Sequence, residues 1–250
     1  MRRLKKVQDV SLRVGRSGLR LLIAEDVEDD RSLLQHYLQG EPVAVQFAPN
    51  GHEAINLVVG GAEFDLILMD LDMPVLDGYT ATREIREWQS SRGVRRTPVL
   101  ALSAHALPEL VRASLEAGCD AHLAKPIERA VLIEAIYRYT VSDDVVKLVE
   151  QAGQSAREEI TADVAELVPQ YLASKWKQIE EAQGRLLVHD LEPIRRFGHN
   201  LRGTARGYGF PPLENIGRDL EVAAASQEES RIAELLECLR QFLERESMPV

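Results

Sequence analysis

The sequence predicts a doubly wound five-stranded parallel α/β sheet followed by an all-α four-helix bundle. Two observations carry this. From about residue 19 to residue 140, short apolar runs alternate with stretches of helical periodicity, the pattern of βαβ units. After Thr140 the strand pattern stops and only helical periodicity remains. A length of 250 residues suits two small domains. The apolar content of 45% and charged content of 28% are those of a folded chain rather than a disordered one.

The runs LRLLIA (19–24), VAVQF (43–47), FDLILMD (64–70), TPVLALS (97–103) and DAHLAK (120–125) are short and bounded, as buried strands are. Between them, Leu33, Leu34, Tyr37 and Leu38, then Ala54, Ile55 and Val58, recur at helical spacing. So do the stretches from Tyr79 to Trp88 and from Ile127 to Tyr139. Residues 1–18 form a basic tail, 19–140 the first domain, 141–157 a linker and 158–250 the second domain. In the second domain helices are expected over 158–184, 190–208, 212–226 and 229–246, with breaks at Gly184, at Gly209 to Pro212 and at Ser226 to Glu229. Pro169 demands a kink or a later start in the first of them.

Charge is uneven. Residues 1–20 hold seven bases against one acid, whereas residues 141–250 hold 13 bases and 20 acids, a net of −7. A second domain that bound nucleic acid would carry the opposite sign, so no nucleic-acid partner is expected. No stretch reaches the roughly 18 consecutive apolar residues of a membrane span, and the basic start lacks the apolar core of a signal peptide. Cys119 and Cys238 have no CxxC or Cys/His spacing. They read as small buried apolar residues, and a reducing cytoplasm is the simplest location.

A doubly wound sheet binds ligands at the carboxyl ends of its strands. Glu25 and Asp26 stand there after the first strand, Asp70 after the third, Ser103 after the fourth and Lys125 after the fifth. Crowded carboxylates call for a hard divalent cation such as Mg²⁺. A lysine and a hydroxyl opposite them suit a phosphoryl group, with Asp70 as nucleophile. Asp70 ends an apolar run where a charge has no structural use. Asp29, Asp30 and Asp77 read as solvated loop acids.

The stretches AEDVEDD (24–30), LILMDLDMPVLDG (66–78), VLALSAHA (99–106) and HLAKPI (122–127), in this order, resemble the receiver domain of two-component response regulators, a flavodoxin-like fold. The resemblance implies Asp70 as phosphoacceptor and Glu25, Asp26, Asp70 and the backbone carbonyl of Asp72 as Mg²⁺ ligands. It implies Ser103 as the hydroxyl that moves toward the phosphoryl group, Lys125 as its counter-ion, and a cis bond before Pro126. His122 stands where receivers usually carry a switching Tyr or Phe. It reads as a tolerated surface variant, with a pH-sensitive switch as the alternative. Glu25 departs from the usual aspartate pair.

Of the six histidines, His36, His52 and His189 read as surface residues, and His105 lies in the loop after the fourth strand. His199 differs. From Pro193 to Leu213 there are four arginines and no acid. Gly198, Gly203 and Gly207 there cost a helix about 1 kcal/mol each relative to alanine. The expectation is that glycine beside the histidine clears room for another protein's backbone. FGHNLRGTARGYGF (197–210), followed by LENIGRDLE (213–221), resembles a histidine-containing phosphotransfer (HPt) domain. That resemblance implies His199 as the phosphotransfer residue, supported by Arg202, Gly203 and Arg206; Arg202 replaces the usual lysine.

Together the two resemblances imply a phosphorelay intermediate in the cytoplasm. An upstream histidine kinase phosphorylates Asp70, and His199 passes the group to or from the receiver of a response regulator. The chain then phosphorylates itself from phosphodonors with Mg²⁺ but is no ATP-dependent kinase, having no P-loop or Gly-rich phosphate cradle. The alternative is a response regulator whose phosphorylated receiver controls a helical binding or dimerisation module without phosphohistidine.

Overall fold

The structure is a computed structural model and describes residues 18–104, 107–140 and 164–247. These fall into two compact units, 18–140 and 164–247. Nearly all of the expected basic tail, the expected linker and His105 lie outside the described residues.

The first unit runs β1 (Leu19–Ala24), α1 (Glu28–Tyr37), β2 (Val43–Ala48), α2 (Gly51–Val59), β3 (Leu66–Asp70), α3 (Gly78–Arg92), β4 (Val99–Ser103), α4 (Pro108–Glu116), β5 (Ala121–Ala124) and α5 (Arg129–Thr140). The strands form one parallel sheet in the order β2-β1-β3-β4-β5. This is the five-stranded parallel sheet with flanking helices that the alternation predicts. The order reverses direction at β1, so the carboxyl ends of β1 and β3 flank the crevice where such sheets bind ligands. Leu21 to Ala24, all of β3 and all of β4 are buried, which is why they read as continuous apolar runs.

Three strands, β3, β4 and β5, start later than the apolar runs suggest, and at two of the starts an acid acts as a cap. The Asp65 carboxylate accepts the Arg20 amide at 2.8 Å, and β3 begins at Leu66. Asp120 accepts the Val99 amide at 2.8 Å and pairs with Arg86 at 2.8 Å, so it stands outside β5. Helix starts are capped similarly. Asn50 Oδ1 accepts the Glu53 amide at 2.9 Å, and Asp77 Oδ1 accepts the Thr80 amide at 2.8 Å.

The second unit contains α6 (Val168–Leu187), α7 (Glu192–Thr204), α8 (Pro211–Ala225) and α9 (Glu229–Ser247). Each packs on two others: α6 on α7, α7 on α8, α8 on α9 and α9 on α6. Among the described residues the first helix starts at Val168, so Pro169 sits in its first turn, where a missing N–H is harmless. No break occurs at Gly184, which faces open space; the chain turns at His189, with φ +57°. Helix α7 ends at Thr204, four residues earlier than expected, and Gly209 at φ +86° precedes the two prolines that open α8.

Tyr171 is the centre of this unit's core. Its ring stacks on Tyr208 at 4.0 Å, and its hydroxyl lies 3.1 Å from Thr204 Oγ1. Lys175 is fully buried, with Nζ 4.7 Å from the centre of the Tyr171 ring and 3.1 Å from Gln178 Oε1. Of the two cysteines only Cys119 is buried; Cys238 is exposed, against the sequence expectation. Among the described residues no helix is long and apolar enough to cross a membrane.

Candidate functional site

At the carboxyl edge of the sheet, β1 delivers Glu25 and Asp26, β3 delivers Asp70, and β5 delivers Lys125. Asp70 is 4% exposed and Glu25 is fully buried. Lys125 Nζ donates to Glu25 Oε2 at 2.6 Å, Asp70 Oδ2 at 2.6 Å and Asp30 Oδ2 at 2.8 Å. The second oxygens of Glu25 and Asp70 are held by backbone: Glu25 Oε1 accepts the Val27 amide at 3.1 Å, and Asp70 Oδ1 accepts the Asp72 amide at 2.9 Å. The turn after β3 folds back so tightly that a Cβ on Gly78 would run into the Asp70 carbonyl. Only glycine permits that approach. The Lys125–Pro126 bond is cis, and the Lys125 amide donates to the Ser103 carbonyl at 2.7 Å. Ser103 is itself buried at the end of β4.

Burial pushes the Glu25 carboxyl well above its usual range; Lys125 opposes this, while Asp70 and Asp30 add to it. Burial also works against the Lys125 ammonium, but Asp30, Asp70 and Glu25 outweigh it and hold its pKa above the ordinary lysine value. Carboxylate oxygens of Glu25, Asp26 and Asp70 lie within 4.8 Å of one another. Three hard oxygen donors at that spacing fit a divalent cation, which would relieve repulsion that one ammonium leaves uncompensated.

Three acids depart from their sequence reading. Asp30 is a buried member of the pocket, and Asp29 is buried beside it on α1, because the first helical turn rotates them inward. Asp77 is a helix cap. His122 is half-buried on β5 and not a simple surface variant: its Nδ1 lies 3.0 Å from Oγ of the fully buried Ser114.

In the second unit, His199 lies on α7 with its side chain 14% exposed. Its Nδ1 lies 3.0 Å from Glu221 Oε1, and Arg202 reaches the other oxygen of that carboxylate at 3.1 Å. Glu221 thus bridges the two from α8. It ends the LENIGRDLE stretch, but local spacing cannot show that it meets His199 across a helix interface. The arginines do not form an uncompensated basic collar. Arg195 pairs with Glu192 at 2.7 Å, Arg202 with Glu221, and Arg206 with Glu214 at 2.9 Å, all acids just outside the window counted in the sequence. Gly198 faces inward, against α8 rather than toward a partner, and Gly203 and Gly207 are buried.

Residues 21–137 match the family model of the response regulator receiver domain. The chain is 30% identical to sensor protein GacS of Pseudomonas syringae pv. syringae, over 78% of this chain and 23% of that protein. It is 29% identical to the sensory/regulatory protein RpfC of Xanthomonas campestris pv. campestris, over 81% of this chain and 30% of that protein. The chain therefore spans less than a third of the length of these relatives. A solved structure, the receiver domain of the sensor histidine kinase PA1611 of Pseudomonas aeruginosa with a magnesium ion in its active-site cleft, is 36% identical over 49% of this chain and 98% of that one, with a TM-score of 0.45. With its parallel sheet and the acidic pocket at the sheet's carboxyl edge, the segment 21–137 is a response regulator receiver domain of two-component signalling.

Proposed function

We propose that this chain is a phosphorelay intermediate in which Asp70 and His199 are successive carriers of one phosphoryl group. The observation that carries the reading is the His199–Glu221 pair in a helical unit on the same chain as a receiver. The likeness to GacS and RpfC, covering about four-fifths of the chain, runs past the receiver into that unit, which supports reading the two together. The ring of packing among α6 to α9 supports a four-helix bundle of the HPt type.

In the first step an Asp70 carboxylate oxygen attacks phosphorus. The O–P bond forms as the bond to the donor's nitrogen or oxygen breaks, and the donor leaves with that electron pair. Glu25, Asp26, Asp70 and the Asp72 carbonyl would hold Mg²⁺, which would supply charge neutralisation for the reacting oxygens. Lys125 and the Ser103 hydroxyl hold phosphoryl oxygens of the product. In the second step the Nδ1–H of neutral His199 donates a hydrogen bond to Glu221, which fixes the tautomer and presents the Nε2 lone pair for attack. The N–P bond forms, the O–P bond breaks, and Asp70 recovers its carboxylate. An upstream histidine kinase and the receiver of a response regulator are the partners this chemistry requires, within the cytoplasm. The chain is no ATP-dependent kinase in this reading.

A second reading has one observation in its favour. The His199 side chain is only 14% exposed, as a packing residue would be. The helical unit would then be a binding or dimerisation module governed by the receiver. Acetyl phosphate with Mg²⁺, followed on a phosphate-affinity gel, tests the first step: wild type should shift and Asp70→Asn should not. A shift that survives Asp70→Asn contradicts the assignment of the phosphoacceptor.

A further inference from the structure

The ammonium of Lys125 has three N–H donors. All three are taken, by Glu25, Asp70 and Asp30 at 2.6–2.8 Å, in a site where the lysine side chain is only 9% exposed. A phosphoryl oxygen on Asp70 can be met by Lys125 only if one of these contacts opens. Glu25 and Asp70 are each fixed through their other oxygen to a backbone amide, of Val27 and of Asp72. Asp30 projects from the first turn of α1, and among the described residues Lys125 is the side chain its carboxylate bonds. Its contact is therefore the one to exchange. Asp30 also stands outside the Glu25, Asp26 and Asp70 group whose oxygens gather for a cation.

We propose that Asp30 is a positioning residue that competes with the phosphoryl oxygens for Lys125. It holds the ammonium beside the phosphoacceptor before transfer, and it sets how strongly the pocket takes a phosphoryl group. This rests on the reading of Asp70 as phosphoacceptor. With acetyl phosphate as donor, the bond from Asp70 to phosphorus forms, the bond from phosphorus to the acetate oxygen breaks, and acetate leaves. Asp30 neither gains nor loses a bond in that step. Once Lys125 turns to the phosphoryl oxygens, the Asp30 carboxylate is left next to a dianion it repels, so the phosphorylated state is disfavoured while that charge is present.

The test compares full-length wild type with Asp30→Asn, Asp30→Glu and Asp70→Asn in two titrations: beryllium fluoride, a phosphoryl mimic, at fixed Mg²⁺, and Mg²⁺ alone. Removing one nearby charge from a largely buried site is expected to tighten beryllium fluoride binding about tenfold in Asp30→Asn. The affinity for Mg²⁺ should stay or fall, because the cation loses an attracting charge. Asp30→Glu should behave as wild type. If Asp30→Asn does not fold, Asp30→Ser is read in its place. Unchanged beryllium fluoride binding, or both affinities weakening together, overturns the competition while leaving the receiver reading intact. Wild-type binding that is absent, or indifferent to Asp70→Asn, overturns the receiver reading and this inference with it.

Discussion

Gly198 on α7 and Gly217 on α8 meet backbone to backbone: a Cβ on either residue would lie 2.7 Å from the other's carbonyl oxygen. Two bare backbones crossing this closely bring α8 near enough for Glu221, one turn beyond Gly217, to reach His199. A glycine that costs helix propensity is thus spent on helix packing, and the packing places the proposed phosphotransfer residue.

Alanine at either position should therefore destabilise the helical unit. Overpacking of a tight contact costs roughly 1–3 kcal/mol. Thermal or urea unfolding of Gly198→Ala and Gly217→Ala should show a loss of that size in the helical unit. Gly184→Ala, where a Cβ meets open space, should leave stability unchanged or raise it. Equal effects at all three positions would contradict the role given to the crossing.

What was legible in the sequence was whatever is local along the chain. Strands β1, β3 and β4 show as apolar runs because they are buried on both faces, and Asp70 shows because it ends one of them. What was not legible depends on contacts between distant segments. Asp30 looks solvated in a run of acids until the first turn of α1 rotates it toward Lys125, 95 residues away. Gly198 and Gly217 are 19 positions apart, and neither shows its partner. Two of the arginines around His199 look unbalanced because Glu214 and Glu221 arrive from the next helix. Lys175 gives no signal at all, since its burial rests on the Tyr171 ring.

Divalent cation should stabilise the receiver. A ligand that binds only the folded state adds about 2.7 kcal/mol at a hundred times its Kd. Mg²⁺ should therefore raise the melting temperature of wild type, and Asp26→Asn should remove most of that rise. No shift at millimolar Mg²⁺ would contradict the placement of the cation among Glu25, Asp26 and Asp70.

Alkali should weaken the receiver. Burial, then Glu128 and Asp30, push the Tyr37 phenol up to about 12, and burial with Glu41 raises Tyr137 in the same direction. Both groups fold neutral with pKa values above the unfolded value of about 10. For Tyr37 the contribution is complete below pH 10 and is lost as pH climbs through about 12, on the order of 3 kcal/mol. Stability measured between pH 9 and 12 should fall for wild type and fall less for Tyr37→Phe. Identical slopes would contradict the burial of that hydroxyl.

Glu221 should act through His199. In Glu221→Ala the imidazole loses the partner that orients it, and misplacing a nucleophile costs up to about a hundredfold in rate. Transfer from phosphorylated Asp70 should slow accordingly, while loading of Asp70 by acetyl phosphate stays at the wild-type rate. A parallel loss of loading would point to misfolding instead.

The most direct test of the relay is the chemical nature of the bound phosphate. Wild type, Asp70→Asn and His199→Gln are loaded from radiolabelled acetyl phosphate with Mg²⁺, and the label is then exposed to acid and to alkali. Acyl phosphate is lost in alkali, whereas phosphohistidine survives alkali and is lost in acid. The relay predicts alkali-stable label in wild type that disappears in both variants, with alkali-labile label remaining in His199→Gln. Label that is wholly alkali-labile and indifferent to His199 would contradict transfer between the two residues.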